Sequence, residues 1–81
     1  MPSAQQEKQY RAIPAFLRRL REEAGMSQRD IGKKLGKPQS YVYNCETANR
    51  RVDIAEFIAW TRACNQAPDA VFMRLLAETR L

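Results

Sequence analysis

The chain has no histidine, only two cysteines and only three glycines among its 81 residues. Without histidine, the most frequent general base and the most frequent neutral metal ligand are both missing. Cys45 and Cys64 supply too few ligands for a structural zinc site, so neither metal nor cofactor is expected. Each falls at an apolar helical position and reads as a small buried thiol in a reducing compartment. No apolar run approaches the ~20 residues that cross a bilayer. Residues 1–7 are polar and lack the apolar core of a signal peptide, so a cytoplasmic location is expected. Internal repeats, low-complexity tracts and strand-like alternation are absent as well. Catalytic groupings are equally scarce. Glu22 and Glu23 are adjacent and point in different directions on a helix. Ser27 is better explained as a helix cap than as a nucleophile. The chain is not expected to be an enzyme.

What is present fits one small globular domain. Hydrophobic residues make up 44% and charged residues 28% of the chain, an ordinary balance for a folded soluble protein. The net charge is +5. It is concentrated: residues 29–51 hold Arg29, Lys33, Lys34, Lys37, Arg50 and Arg51 against only Asp30 and Glu46. Residues 52–81 are close to neutral. A basic middle segment suits a polyanion, although a solvated basic surface is the better explanation of charge alone.

The periodicity predicts an all-α chain of five helices. Residues 1–9 read as a mobile arm, and residues 10–81 as the domain. A first helix is expected from about Arg11 to Ala24, with Ile13, Phe16, Leu17, Leu20 and Ala24 as its apolar stripe. Pro14 is tolerable in a first turn, which puts the start between residues 10 and 14. The second helix opens at Ser27, whose hydroxyl and Asp30 form a variant capping box. Ile31 and Leu35 face inward, and Gly36 ends the helix. Gly32 weakens the helix by about 1 kcal/mol relative to alanine, so its use is close approach of the next helix. The third helix runs from about Gln39 to Thr47, with Val42 and Cys45 inward. The fourth begins after Asp53, with Glu56 as the capping partner, and is apolar on more than one side through Ile54, Phe57, Ile58, Trp60, Thr61 and Cys64. Asn65 can take the left-handed closing conformation. The fifth begins near Pro68 and carries Val71, Phe72, Met73, Leu75, Leu76 and Leu81.

Two short helices joined at Gly36, the second rich in uncharged hydrogen-bonding side chains, have the plan of a helix-turn-helix. In that plan the first helix crosses a phosphate backbone and the second enters the major groove. Gln39, Ser40, Tyr43, Asn44 and Thr47 form the outward edge. Gln39 stands at the helix start, where it can pair with an adenine edge or bind phosphate. Ser40 suits a base or a phosphate equally. Tyr43 can touch a thymine methyl or donate to phosphate, and Asn44 can reach a base or the backbone. Arg29, Lys37, Arg50 and Arg51 are phosphate candidates, with Lys33 and Lys34 weaker ones. Either Arg50 or Arg51 can instead pair with Asp53 or Glu56. Tyr41 is expected to pack at the domain edge and offer its hydroxyl to a phosphate.

The chain resembles the Cro/C1-type, or XRE, helix-turn-helix regulators. The resemblance spans residues 10–76. It rests on Leu17-Arg18-Arg19-Leu20-Arg21-Glu22-Glu23-Ala24-Gly25, then Ser27-Gln28, then Leu35-Gly36-Lys37-Pro38-Gln39-Ser40-Tyr41-Val42, then Glu46, then Arg50-Arg51-Val52-Asp53 and Glu56-Phe57. It implies a compact five-helix domain of the lambda-repressor-like type, dimeric, bound to double-stranded DNA at a palindromic operator. It also implies that Gln28 touches phosphate and braces Gln39, and that Glu46 ties the third helix to nearby backbone. This sequence departs from the pattern at Ala48, where glycine is common, at Asn44, where a basic residue is common, and at Cys45, which replaces a larger apolar residue. Spare apolar surface at Trp60, Phe72, Met73 and Leu76 reads as the homodimer interface, unless these residues complete the core. Relatives also include antitoxins, which bind a toxin as well as their own promoter, and controllers of restriction–modification genes.

Overall fold

The computed structural model describes residues 4–79, with side chains from Glu7 onward. They form five helices: α1 (Ala4–Glu23), α2 (Gln28–Leu35), α3 (Gln39–Glu46), α4 (Ile54–Ala63) and α5 (Pro68–Glu78). Met1 to Ser3, at the front of the expected arm, and Leu81 lie outside the described residues.

The end signals of α2 and α4 work as the sequence suggests. The Ser27 hydroxyl accepts from the Asp30 N–H at 3.0 Å, and the Asp30 carboxylate accepts from the Ser27 N–H at 2.9 Å. Asp53 and Glu56 make the same reciprocal pair at 2.8 and 2.9 Å. Each box satisfies two N–H groups that have no partner within the helix. Gly36 closes α2 with φ of 67°, a left-handed conformation that costs glycine nothing sterically. Asn65 closes α4 with φ of 59°.

The first helix corrects an expectation. It begins at Ala4, not between residues 10 and 14, and Pro14 is inside it and buried. Proline removes the N–H that would reach the Tyr10 carbonyl. The turns before it are held by contacts from far along the chain. The Tyr10 hydroxyl accepts from the Val52 N–H at 2.8 Å, and Glu7 pairs with Arg51 at 2.8 Å. Ala24 is exposed, off the expected stripe.

Phe16, Leu17 and Leu20 of α1 meet Ile31, Val42, Cys45, Phe57, Trp60, Cys64, Val71 and Leu75 in one core. Trp60 is fully buried at its centre, and its indole N–H donates to the Leu17 carbonyl at 3.2 Å. This removes Trp60 from the expected dimer face, because α4 is surrounded on several sides and its largest side chain is enclosed. Val71 and Leu75 point the same way into the core. Phe72, Met73 and Leu76 remain outside, together with Ile54.

At Gly32 the turn and α3 pass close against α2. A methyl group there would lie 2.8 Å from the Lys37 carbonyl oxygen and 3.7 Å from the Val42 side chain. Only glycine fits, so the turn can fold tightly and fix α3 against α2. Ala48, just beyond α3, has φ of 65°. A side chain in that region costs about 1–2 kcal/mol, which glycine avoids at a smaller entropic cost. Ala48→Gly is therefore expected to stabilise the fold by up to about 1 kcal/mol. A denaturant midpoint at or below that of the parent would contradict this.

Candidate nucleic-acid interface

The exposed edge of α3 is built from its first turn outward. Gln39, Ser40, Tyr43 and Thr47 are exposed and Asn44 is half-buried, while Val42 and Cys45 are enclosed on the opposite side. Pro38 precedes the helix in an extended conformation and makes no side-chain cap bond. The N-terminal end of α3 is thus open to a ligand at the position of Gln39.

Behind that edge runs a chain of hydrogen bonds. Arg21 of α1 donates from Nε to Glu46 Oε2 at 2.7 Å and from Nη2 to Glu46 Oε1 at 3.0 Å. Its remaining Nη1 donates to the Met26 carbonyl at 2.7 Å. Both side chains are buried, and the Glu46 bond holds the Arg21 pKa above its ordinary value against the cost of burial. Gln28 Nε2 donates to Glu46 Oε1 at 3.0 Å, and Gln39 Nε2 donates to Gln28 Oε1 at 2.8 Å.

The polarity of this chain has one consistent direction. An ionised carboxylate only accepts, so Gln28 must turn its NH2 toward Glu46. Its oxygen then faces Gln39 and takes one of that residue's two N–H bonds. Gln39 is left with a free carbonyl oxygen and one free N–H, the donor–acceptor pair that matches the N6 and N7 edge of adenine. The charge at Glu46 orients an amide two side chains away.

The structure brings Gln28 and Gln39 together as the resemblance implies. It changes the role expected for Glu46, whose partners are the Arg21 and Gln28 side chains rather than nearby backbone. The backbone anchor belongs to Arg21, a residue that sequence reasoning missed. The available signal was a charged residue beside Leu17 and Leu20 on the inward face of α1.

The basic residues fall into two groups. In the first, Tyr41 is flanked by cations: Arg50 lies 4.8 Å and Lys37 Nζ 5.3 Å from its ring centroid. Its hydroxyl donates to Glu56 Oε2 at 2.8 Å, and the same oxygen pairs with Arg50 at 2.6 Å. Burial, then the bond to Glu56, pushes the Tyr41 pKa up. The Glu56 pKa is held below the usual carboxylate value, first by the Asp53 N–H and then by Tyr41 and Arg50 against desolvation. In the second group, Arg51 lies 4.1 Å from the Tyr10 ring centroid and pairs with Glu7. Arg29 and Lys33 are exposed on α2, and Lys34 donates to the Ala63 carbonyl at 3.3 Å.

The cysteines are free and buried. Burial pushes the Cys64 thiol up to about 11 and also raises Cys45. Both are protonated at neutral pH. Among the described residues no helix is long and apolar enough to cross a membrane.

A scaffold helix packed on the core through Ile31, a tight glycine turn and a second helix with its polar edge free define a helix-turn-helix protein. Comparison with known proteins agrees. A family model described as a helix-turn-helix domain matches residues 14–72. A solved structure, an XRE-family-like protein from Pseudomonas syringae pv. tomato str. DC3000, superposes with a TM-score of 0.82 and 35% sequence identity, over 91% of this chain and 90% of that one. No curated protein matches the sequence. The chain belongs to the XRE-type helix-turn-helix family of DNA-binding transcription regulators.

Proposed function

We propose that the chain is a cytoplasmic, sequence-specific repressor that binds a pseudopalindromic operator in double-stranded DNA as a homodimer. The observation that carries this reading is Gln39: exposed, first in α3, and held through Gln28 by a buried ion pair. An α-helix with its side chains is about 10–12 Å across, which suits the ~12 Å width of the major groove. In this reading Gln39, Ser40, Tyr43 and Asn44 face base edges. Gln28, Arg29, Lys37, Tyr41, Arg50 and Arg51 face phosphates and set position rather than choice.

Gln39→Ala removes the oriented amide and leaves the phosphate contacts. Discrimination at one operator position per half-site is expected to relax by ~1–3 kcal/mol, while affinity for scrambled DNA stays the same. Competition binding against single-base operator variants measures this, and an unchanged preference would remove Gln39 from base reading.

The dimer is supported by Ile54, Phe72, Met73 and Leu76, which are large, apolar and exposed at the α4–α5 end. A small apolar hollow lies beside them, lined by Ile13, Val52, Phe57 and Leu75 among others. Reading two half-sites requires the two α3 helices of such a pair to lie about one DNA turn apart, ~34–36 Å. Sedimentation at tens of micromolar is expected to give a dimer that Met73→Glu dissociates; a monomeric parent would end the proposal.

A further inference from the structure

Two of the residues assigned above to phosphate binding, Tyr41 and Arg50, converge on one carboxylate, and a third, Lys37, lies against the Tyr41 ring. Lys37 and Arg50 flank the Tyr41 ring, and both the Tyr41 hydroxyl and the Arg50 guanidinium bind Glu56 Oε2, at 2.8 and 2.6 Å. A hydroxyl and a guanidinium on a single anionic oxygen, with an ammonium nearby, is the donor set that a phosphodiester oxygen takes. The Glu56 side chain is 20% exposed and that of Arg50 44%, so the cluster opens to solvent. The other carboxylate oxygen is engaged differently: Oε1 accepts from the Asp53 N–H as part of the α4 cap.

We propose that Lys37, Tyr41 and Arg50 form a binding site for one DNA phosphate, and that Glu56 occupies it as an internal competitor until the phosphate displaces it. The inference rests on the DNA-binding reading of the α3 face. Each phosphate bound here releases Arg50 and the Tyr41 hydroxyl from Glu56 and leaves a carboxylate beside a polyanion. Both effects oppose association equally on every sequence. Glu56 therefore lowers non-specific affinity without touching base recognition.

The decisive variant is Glu56→Gln. Glutamine keeps the reciprocal cap with Asp53 through its single amide oxygen, since that motif accepts Glu or Gln, and the position of Oε2 becomes an NH2 that cannot accept from Arg50. Binding is measured on the chain's own upstream duplex and on scrambled duplex, across a salt series, for the parent, Glu56→Gln, Arg50→Ala and the double variant. Asp69→Asn, at the start of α5, controls for the change in net charge. The expected result is an affinity about fivefold higher for Glu56→Gln on both duplexes at low salt. The slope of log K against log salt should steepen by about 0.9, one additional ion released. Asp69→Asn should show a smaller gain, and the Glu56→Gln gain should vanish in the Arg50→Ala background. If the parent binds DNA but Glu56→Gln binds no tighter than Asp69→Asn, the competitor is refuted while DNA binding stands. If Arg50→Ala binds as well as the parent, the phosphate site is refuted even should Glu56→Gln fail to fold. A parent that binds neither duplex at low salt refutes the DNA-binding reading and the competitor with it.

Discussion

Glu46→Ala is expected to destabilise the domain by about 3–5 kcal/mol, the cost of leaving a buried charge without its partner. Arg21 would keep its bond to the Met26 carbonyl but lose both bonds to a carboxylate, in a site where it is only 8% exposed. Gln28 would lose the acceptor that fixes its amide, so Gln39 would no longer be held in one orientation. The variant should therefore also lose base discrimination, measured at a temperature where it is still folded. Replacing Arg21 and Glu46 together with leucine separates the two effects. Stability should recover substantially, because a well-packed apolar pair often matches a buried ion pair. Discrimination should not recover, because Gln28 still lacks its anion. Urea denaturation with binding to operator variants reads both. A Glu46→Ala protein within about 1 kcal/mol of the parent would show that the ion pair does not support the interface.

Trp60→Ala is expected to cost a similar amount, about 3–5 kcal/mol, by a different route. The indole is fully enclosed and bonded to the Leu17 carbonyl. Its removal leaves a cavity in the core that a domain of this size has few alternative side chains to fill. Each kcal/mol shifts the melting temperature by roughly 4–8 °C in domains of 60–100 residues, so a drop of more than about 12 °C is expected. Trp60→Phe keeps most of the ring volume and should lose far less. Calorimetry measures both. Equal losses for the two variants would indicate that the hydrogen bond, not the volume, matters at this position.

Local chemistry was legible wherever residues act within one or two turns. The Ser27–Asp30 and Asp53–Glu56 caps, the helix end at Gly36, the left-handed Asn65 and the close approach at Gly32 all follow from nearest neighbours. So do the inward Val42 and Cys45 and the outward Gln39, Ser40, Tyr43 and Thr47. Distance along the chain hid the rest. The turns of α1 before Pro14 depend on Arg51 and Val52, more than forty residues away. Arg21 is enclosed because Glu46 arrives from 25 residues on. Trp60 and Phe72 look alike as apolar helical positions, and only packing separates the enclosed residue from the exposed one. The pattern of α5 could have divided its surface, since Val71 and Leu75 are one turn apart and share a face that Phe72, Met73 and Leu76 do not.

The central claim is that the outward edge of α3 reads bases in a DNA groove. The most direct measurement is fluorescence anisotropy of the chain's own upstream duplex against a scrambled duplex, at two salt concentrations, for the parent and Gln39→Ala. Tighter binding of the upstream duplex is expected, with a preference that survives the higher salt and narrows in Gln39→Ala. Equal affinity of the parent for both duplexes at both salt concentrations would contradict the claim.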